Sequence, residues 1–414
     1  MYIVGAGYLV GVGGSFKSVR DFAVCFDRKI VDIGRMEELR ARYPQAEAID
    51  LGADAVVLPG LINPHVHLEF SANRSLLKLG GFIPWLKSVI AQREQLLERC
   101  RKEECVRKAL RTILRSGTTA IGAISSFGAD LHDCVHTPMK VVYFNEVLGS
   151  SPAAVDALYG DFLQRYEASE SHACERFVPA ISVHAPYSTH PVLARKALEL
   201  ARSDGRLVST HFLESPAELA WLERGEGEFV SFFASFMPDA KPMSTPESYL
   251  ELFEGVPTLL THAVQSSAKI LDRIAEAGMK ITHCPRSNTL LHTGRLDLEA
   301  LRARGISWSL GSDGLSSNRS LSLWDEMRAA LLLHHRLDPV ELAAALLEAA
   351  TAGGAQALDL EAGRIEPGRA ADLIVVRLEQ EVAHPEDLPL QLILHTQAPE
   401  RIYIAGEVYD EKDL

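Results

Sequence analysis

Long apolar runs are missing from this 414-residue chain, and none approaches the roughly 20 residues of a bilayer-spanning helix. The first residues also lack the basic segment, apolar stretch and cleavage site of an export signal. Positive charge is in deficit: 42 Lys and Arg stand against 55 Asp and Glu, for a net charge of −13, with no long basic cluster. That balance argues against nucleic acid and against a membrane surface as partners. No Cys-x-x-Cys pair occurs, and Cys25, Cys100, Cys105, Cys134, Cys174 and Cys284 are scattered. They read as reduced thiols of a cytoplasmic protein. Internal repeats and low-complexity tracts are absent as well. What is present, 47% hydrophobic and 23% charged residues, is ordinary for a globular protein with one large domain and a smaller one.

Two histidines one residue apart, in Leu58-Pro59-Gly60-Leu61-Ile62-Asn63-Pro64-His65-Val66-His67, carry the first chemical signal. Alternate residues of a strand share a face, so a strand ending at His67 aims both imidazoles at one point. Two converging imidazoles are half a metal site. A surface strand with two solvated histidines has the same pattern, so the decision rests on whether further ligands recur at later strand ends.

From there, short β-rich runs alternate with amphipathic stretches. The runs are Leu61–Leu68, Thr118–Ser125, Lys140–Val147, Val178–His184, Leu207–Phe212, Thr258–His262, Lys280–Cys284 and Ser307–Gly311. The stretches between and after them include 84–115, 152–170, 190–203, 265–277 and 320–350. Strands alternating with helices imply parallel strands, and eight such units predict an α/β fold of the (β/α)8 TIM-barrel type, typically about 250 residues. Both ends are short-stranded and turn-punctuated, with runs such as Tyr2-Ile3-Val4, Phe22–Phe26, Lys29–Ile33, Ala371–Val376 and Arg401–Gly406. The expected organisation is a barrel over 58–360 and a small β-sandwich built jointly from 1–57 and 361–414.

Active sites of such barrels sit at the C-terminal ends of the strands. There the sequence places His65 and His67, His184, His211 with Glu214, His262, His283 and Asp313. A single buried histidine is more often a satisfied core residue than a ligand, but histidine or aspartate at six of eight strand ends favours a site. His65, His67, His211 and Asp313 would give one divalent ion four ligands and leave a position for water, whose pKa the ion would lower toward about 7. Glu214 is placed to reach a substrate, and His262 and Asp313 to orient the water and take its proton. His283 is as readily structural as functional, and Arg286 has no assigned role.

His-x-His after strand 1, histidines after strands 5 and 6 and Asp after strand 8 resemble the amidohydrolase superfamily. The resemblance spans essentially the whole chain, including Gly363-Arg364-Ile365-Glu366-Pro367-Gly368-Arg369-Ala370-Ala371-Asp372-Leu373. Many members carry a carboxylated lysine at the end of strand 4 that bridges two metals; His184 stands there, with no lysine in Phe177–Ser188. The His-x-x-Glu and His-Cys-Pro-x-Ser-Asn runs instead resemble the mononuclear deaminase branch. Within it, the S-adenosylhomocysteine and methylthioadenosine deaminases have a Trp and, nine residues later, a Glu that holds the ribose hydroxyls. Trp85 and Glu94 stand at that offset, and His184 in His-Ala-Pro-Tyr-Ser matches their substrate-contacting histidine. A core aromatic and a solvated helix charge fit Trp85 and Glu94 too. His65–Asn73, Gly81–Leu86 and Phe144–Ser150 look more like the aminofutalosine deaminases of the alternative menaquinone pathway.

The resemblance implies hydrolytic deamination of a 6-aminopurine nucleoside, 6-amino-6-deoxyfutalosine to futalosine, with Glu214 protonating N1, His262 hydrogen-bonding the attacking oxygen, and Glu94, His184 and Trp85 at the sugar end. It implies one divalent ion, zinc ahead of iron(II) or manganese, and a homodimer or larger assembly. Alternatives are deamination of methylthioadenosine, S-adenosylhomocysteine or a nucleobase, a chlorohydrolase on the same scaffold, and a non-enzymatic scaffold, the last disfavoured because every ligand is in place.

Overall fold

The strands before residue 60 are β-branched and aromatic runs broken by Gly, Asp and Pro, a composition suited to pleated, half-buried surface. In the computed structural model, which describes residues 1–14, 16–237 and 239–409, they form β1 (Tyr2–Val12), β2 (Lys17–Phe26), β3 (Ile30–Gly34), β4 (Glu47–Asp50) and β5 (Ala55–Pro59). Eight strands follow: β6 (Leu61–His67), β7 (Thr118–Ser125), β8 (Lys140–Val147), β9 (Phe177–Val183), β10 (Val208–Phe212), β11 (Thr258–His262), β12 (Lys280–His283) and β13 (Trp308–Leu310). The chain returns to short strands in β14 (Leu373–Arg377), β15 (Arg401–Ile404) and β16 (Glu407–Tyr409).

The terminal strands make one mixed sheet, ordered β16-β15-β14-β5-β1-β2-β3, with β4 beside β1. β1 runs antiparallel to β2 and parallel to β4 and β5, and β14 pairs antiparallel with β5, Leu373 opposite Pro59. Val4, Val24, Phe26, Val57, Leu373 and Tyr403 share its core, with Phe26 and Tyr403 edge to face at 5.1 Å. β1 is longer than the Tyr2-Ile3-Val4 run suggested, because glycines interrupt its alternation. Gly7 is there for space: a Cβ would lie 2.0 Å from the Ala53 carbonyl oxygen.

β6 to β13 form the second sheet in sequence order, the arrangement of a nearly closed (β/α)8 barrel. Neighbours are parallel, as in Val141 opposite Phe177 and His211 opposite Thr261. The Asp313 N–H donates to the His65 carbonyl at 3.1 Å, bringing the end of the last strand to the first. Two expected helical stretches are each divided. Phe82–Lys102 and Cys105–Arg115 part at Glu104, which is left-handed at φ 52°. Leu323–Leu333 and Pro339–Glu348 part before Pro339, which cannot continue a helix and caps well after Asp338.

By compactness the chain divides into one unit of 1–64, 111–121 and 322–414 and another of 65–110 and 122–321. Every candidate site residue lies in the second. All six cysteines are free, and among the described residues no helix is long and apolar enough to cross a membrane.

Candidate active site

β6 delivers His65 and His67 to one point because both project from the same face of the strand. His211 joins them from β10, and one nitrogen from each of the three rings lies within 4.8 Å of the others. His67 Nε2 and His211 Nε2 are 3.2 Å apart, and Asp313 Oδ1 is 3.7 Å from Nε2 of both His65 and His67. Gly314 permits this approach, since a Cβ there would fall 2.9 Å from the His67 Cβ.

The donor set fits a divalent cation. His211 Nδ1 faces the His184 carbonyl at 3.0 Å, an oxygen that only accepts, so Nδ1 carries the proton and Nε2 keeps its lone pair. Burial lowers the pKa of His65 and His67 and puts His211 well below the usual histidine range, so the rings are neutral ligands at pH 7. Burial alone would raise the Asp313 carboxyl, but the His65, His67 and His262 rings that face it hold it well below the usual carboxylate range. Its second oxygen accepts from Ser287 Oγ at 2.6 Å and Ser317 Oγ at 2.7 Å. Ligating carboxylates are typically oriented by such bonds.

Glu214 and His262 stand beside this cluster, with His262 Nε2 3.5 Å from Glu214 Oε1. Burial first, then the charges of Asp313 and Glu218, push the Glu214 carboxyl well above its ordinary value. Glu218 fixes the turn that carries it, accepting the N–H groups of Leu213 and Glu214 at 2.9 and 2.8 Å. His262 Nδ1 meets Asn288 Oδ1 at 2.8 Å, and burial lowers its pKa. Ser287 and Asn288 of the His-Cys-Pro-x-Ser-Asn run therefore orient Asp313 and His262. Leu213, His262 and Asp313 are all left-handed, at φ 46°, 74° and 56°, a conformation costly for such residues and characteristic of functional sites.

One cavity joins these groups: His67, His211, Glu214, His262 and Asp313 line its inner end, with His184 and Trp85 also on its wall. His184 bonds Ser188, and the Trp85 indole N–H donates to the Ser316 carbonyl at 2.9 Å. His65 completes the cluster beneath the inner end, fully buried. His283 is not among the lining residues; its Nδ1 lies 3.5 Å from Asn288 Nδ2.

Glu94 is not brought to the cavity, which corrects the expectation from its offset. Residues 82–102 form one continuous helix, so nine residues from Trp85 is two and a half turns, on the opposite face. Its side chain is 81% exposed and pairs with Arg93 at 3.0 Å. Sequence reasoning assigned nothing to Glu146. Its buried carboxylate lines the cavity near His184 and His211, accepting from Ser126 Oγ at 2.5 Å. The one available signal was a glutamate late in a largely apolar strand. Glu69, just past His67, sets the loop that holds Ser126, accepting the N–H groups of Ser126, Phe127 and Ala129 at 2.8, 3.1 and 2.9 Å.

The amidohydrolase family matches residues 56–408, most of the chain. The chain belongs to the amidohydrolase family. This amidohydrolase is 45% identical over 389 residues to the aminodeoxyfutalosine deaminase of Nitratiruptor sp., covering 94% of this chain and 95% of that one. It is 30% identical to a 5-methylthioadenosine/S-adenosylhomocysteine deaminase of Nitratidesulfovibrio vulgaris, covering 87% of this chain and 80% of the other. Its fold superimposes on the crystal structure of Helicobacter pylori aminofutalosine deaminase in complex with methylthio-coformycin with a TM-score of 0.93, at 35% identity over 99% of this chain and 100% of that one.

Proposed function

We propose that this amidohydrolase removes the 6-amino group of a purine nucleoside, with 6-amino-6-deoxyfutalosine as substrate and futalosine and ammonia as products. The observation that carries the reading is a three-histidine, one-carboxylate cluster with Glu214 and His262 beside it in one cavity. The 45% identity to the Nitratiruptor enzyme over nearly the full length of both chains directs it to that substrate.

His65, His67, His211 and Asp313 would hold one divalent ion, zinc ahead of iron(II) or manganese, which would supply an acidified water. The rest is proton handling by the chain. Glu214, whose carboxyl burial pushes well above its ordinary value, donates a proton to N1 as the water oxygen adds at C6, which spares the ring a negative charge. His262, with its Nδ1 proton engaged by Asn288, keeps Nε2 free to accept from the attacking water. That proton then passes to the 6-amino group, the C6 hydroxyl gives its remaining proton back to Glu214, and the C6–N bond breaks to release ammonia and leave the 6-oxo purine. His184 and Trp85 flank the base and sugar. Glu146, the third carboxylate lining the cavity, takes the ribose hydroxyls together with Ser126, in place of Glu94. The protein acts in the cytoplasm as a homodimer or larger assembly.

A second reading, deamination of 5-methylthioadenosine or S-adenosylhomocysteine, is favoured by the 30% relative and uses the same inner residues. The test is incubation of metal-loaded enzyme with 6-amino-6-deoxyfutalosine while ammonia and product mass are followed. Stoichiometric ammonia with a 6-oxo product is expected; an unchanged nucleoside contradicts the reading.

A further inference from the structure

Glu146 is 1% exposed, and its carboxylate accepts from Ser126 Oγ at 2.5 Å and from Ser182 Oγ at 3.4 Å. A carboxylate has about four acceptor positions, so two serines leave it capacity. The Arg165 guanidinium meets the Glu146 carbonyl at 2.9 Å rather than the carboxylate. Among the described residues no lysine or arginine forms an ion pair with that carboxylate. A buried charge is normally paired or bound to a metal.

Histidines stand beside it. Glu146 lies near the end of β8, His184 just past β9 and His211 in β10, three neighbouring strands of the barrel. One ligand atom from each of the three lies within 4.8 Å of the others, and the His184 and His211 rings are 5.0 Å apart, centre to centre. Ser188 Oγ donates to the Ala185 carbonyl and so accepts from His184 Nδ1, which leaves His184 Nε2 with its lone pair. His211 has only Nε2 to offer, because Nδ1 donates to the His184 carbonyl. The same nitrogen serves the inner cluster, so the two sets overlap and hold one ion by turns. Glu146 and His184 line the cavity, whereas His65 is fully buried beneath its inner end. An ion that enters through the cavity meets this wall before it meets His65.

We propose that Glu146, His184 and His211 form a loading position for the divalent ion, which then passes inward to His65, His67 and Asp313 while His211 stays a ligand. The inference rests on the four-ligand assignment of the inner cluster. It gives Glu146 and His184 an earlier duty, from which they are released to the sugar once the ion has moved. Three ligands suit a transient hold, and four, with Asp313 oriented by Ser287 and Ser317, suit a tighter one, so the ion moves inward.

The test follows cobalt(II) uptake by metal-free protein, read by stopped-flow absorbance of the bound ion. Glu146→Gln and His184→Gln should each slow uptake about tenfold or more, while final affinity, from competition with a chelator, stays within about twofold of wild type. Glu94→Gln, on the solvent face, should leave uptake unchanged. His65→Ala/Asp313→Ala breaks the inner cluster, yet that protein should still bind cobalt, more weakly, and adding Glu146→Gln should remove it. If circular dichroism shows the double variant unfolded, the uptake rates decide alone. Uptake unmoved by Glu146→Gln and His184→Gln, rate and final affinity falling together, or a folded double variant that takes up no cobalt would overturn the proposal. Any of these with one ion per chain in the wild type would leave the inner assignment standing. No cobalt uptake by the wild type would remove both.

Discussion

The two ends of the cavity are made from opposite materials. The inner end is buried, charged and fixed by hydrogen bonds at every turn: Asp313 by two serines, His262 by Asn288, the Glu214 turn by Glu218. The outer end is apolar, partly solvated and held by side-chain packing. Chemistry that moves protons and develops charge needs donors set in advance in a dry site, whereas a substituent that does not react needs only area and one well-placed charge. On this account the inner end sets turnover and the outer end sets which nucleoside is turned over.

The comparison breaks most completely at the metal. Stripping the wild-type protein with a chelator, or His211→Ala, should abolish activity, and elemental analysis should find one ion per chain in the untreated wild type and none in the variant. Zinc, iron(II) or manganese should restore the stripped wild type, not the variant. Two ions per chain would contradict the ligand assignment.

Next in size is Glu214→Gln, which keeps the shape but cannot shuttle a proton to N1. Its kcat should fall on the order of 10²- to 10⁴-fold while nucleoside binding, measured by calorimetry on the metal-loaded variant, persists. Near wild-type turnover would dismiss Glu214 as the proton donor.

The third test lies between the two ends. If Glu146 takes the ribose hydroxyls, the preference for ribonucleosides over 2′-deoxyribonucleosides should collapse in Glu146→Gln and survive in Glu94→Gln, a difference on the order of 10- to 100-fold in kcat/KM ratios. The reverse outcome would return the sugar to Glu94. At the rim, Phe236→Ser should cost only a few-fold in kcat/KM for aryl-extended substrates and nothing for adenosine, in keeping with one partly exposed apolar contact.

The smallest effect concerns stability. Burial pushes Glu218 from 4.5 to about 7, opposed by the N–H groups it accepts. A raised carboxyl favours the folded state below its ordinary pKa and loses that contribution as pH rises through the folded value. Between pH 4.5 and about 7, the Tm of Glu218→Gln should therefore decline less than that of the wild type, by differential scanning fluorimetry.

The inner end was largely legible in the sequence and the outer end was not. His65, His67, His184, His211, His262 and Asp313 stand where strands stop, and strand ends are positions that period and turn residues mark. Each predicted barrel strand begins and ends within about one residue of its run, because these strands are short, β-rich and buried along nearly their whole length. The helix faces gave no such guide. Residues nine apart on one continuous helix face opposite ways, so the offset of Glu94 from Trp85 could be read only once the helix bounds were known. Glu146 and Arg93 are single charges without a spacing motif, and only the tertiary arrangement shows that both border the cavity.

The most direct test of a cavity that reacts at one end and selects at the other is a comparison of kcat/KM for 6-amino-6-deoxyfutalosine, methylthioadenosine, adenosine and adenine with metal-loaded wild-type enzyme. The account predicts that order from fastest to slowest, with every nucleoside releasing ammonia. Adenine or unextended adenosine as the best substrate would contradict it, because neither reaches the outer wall.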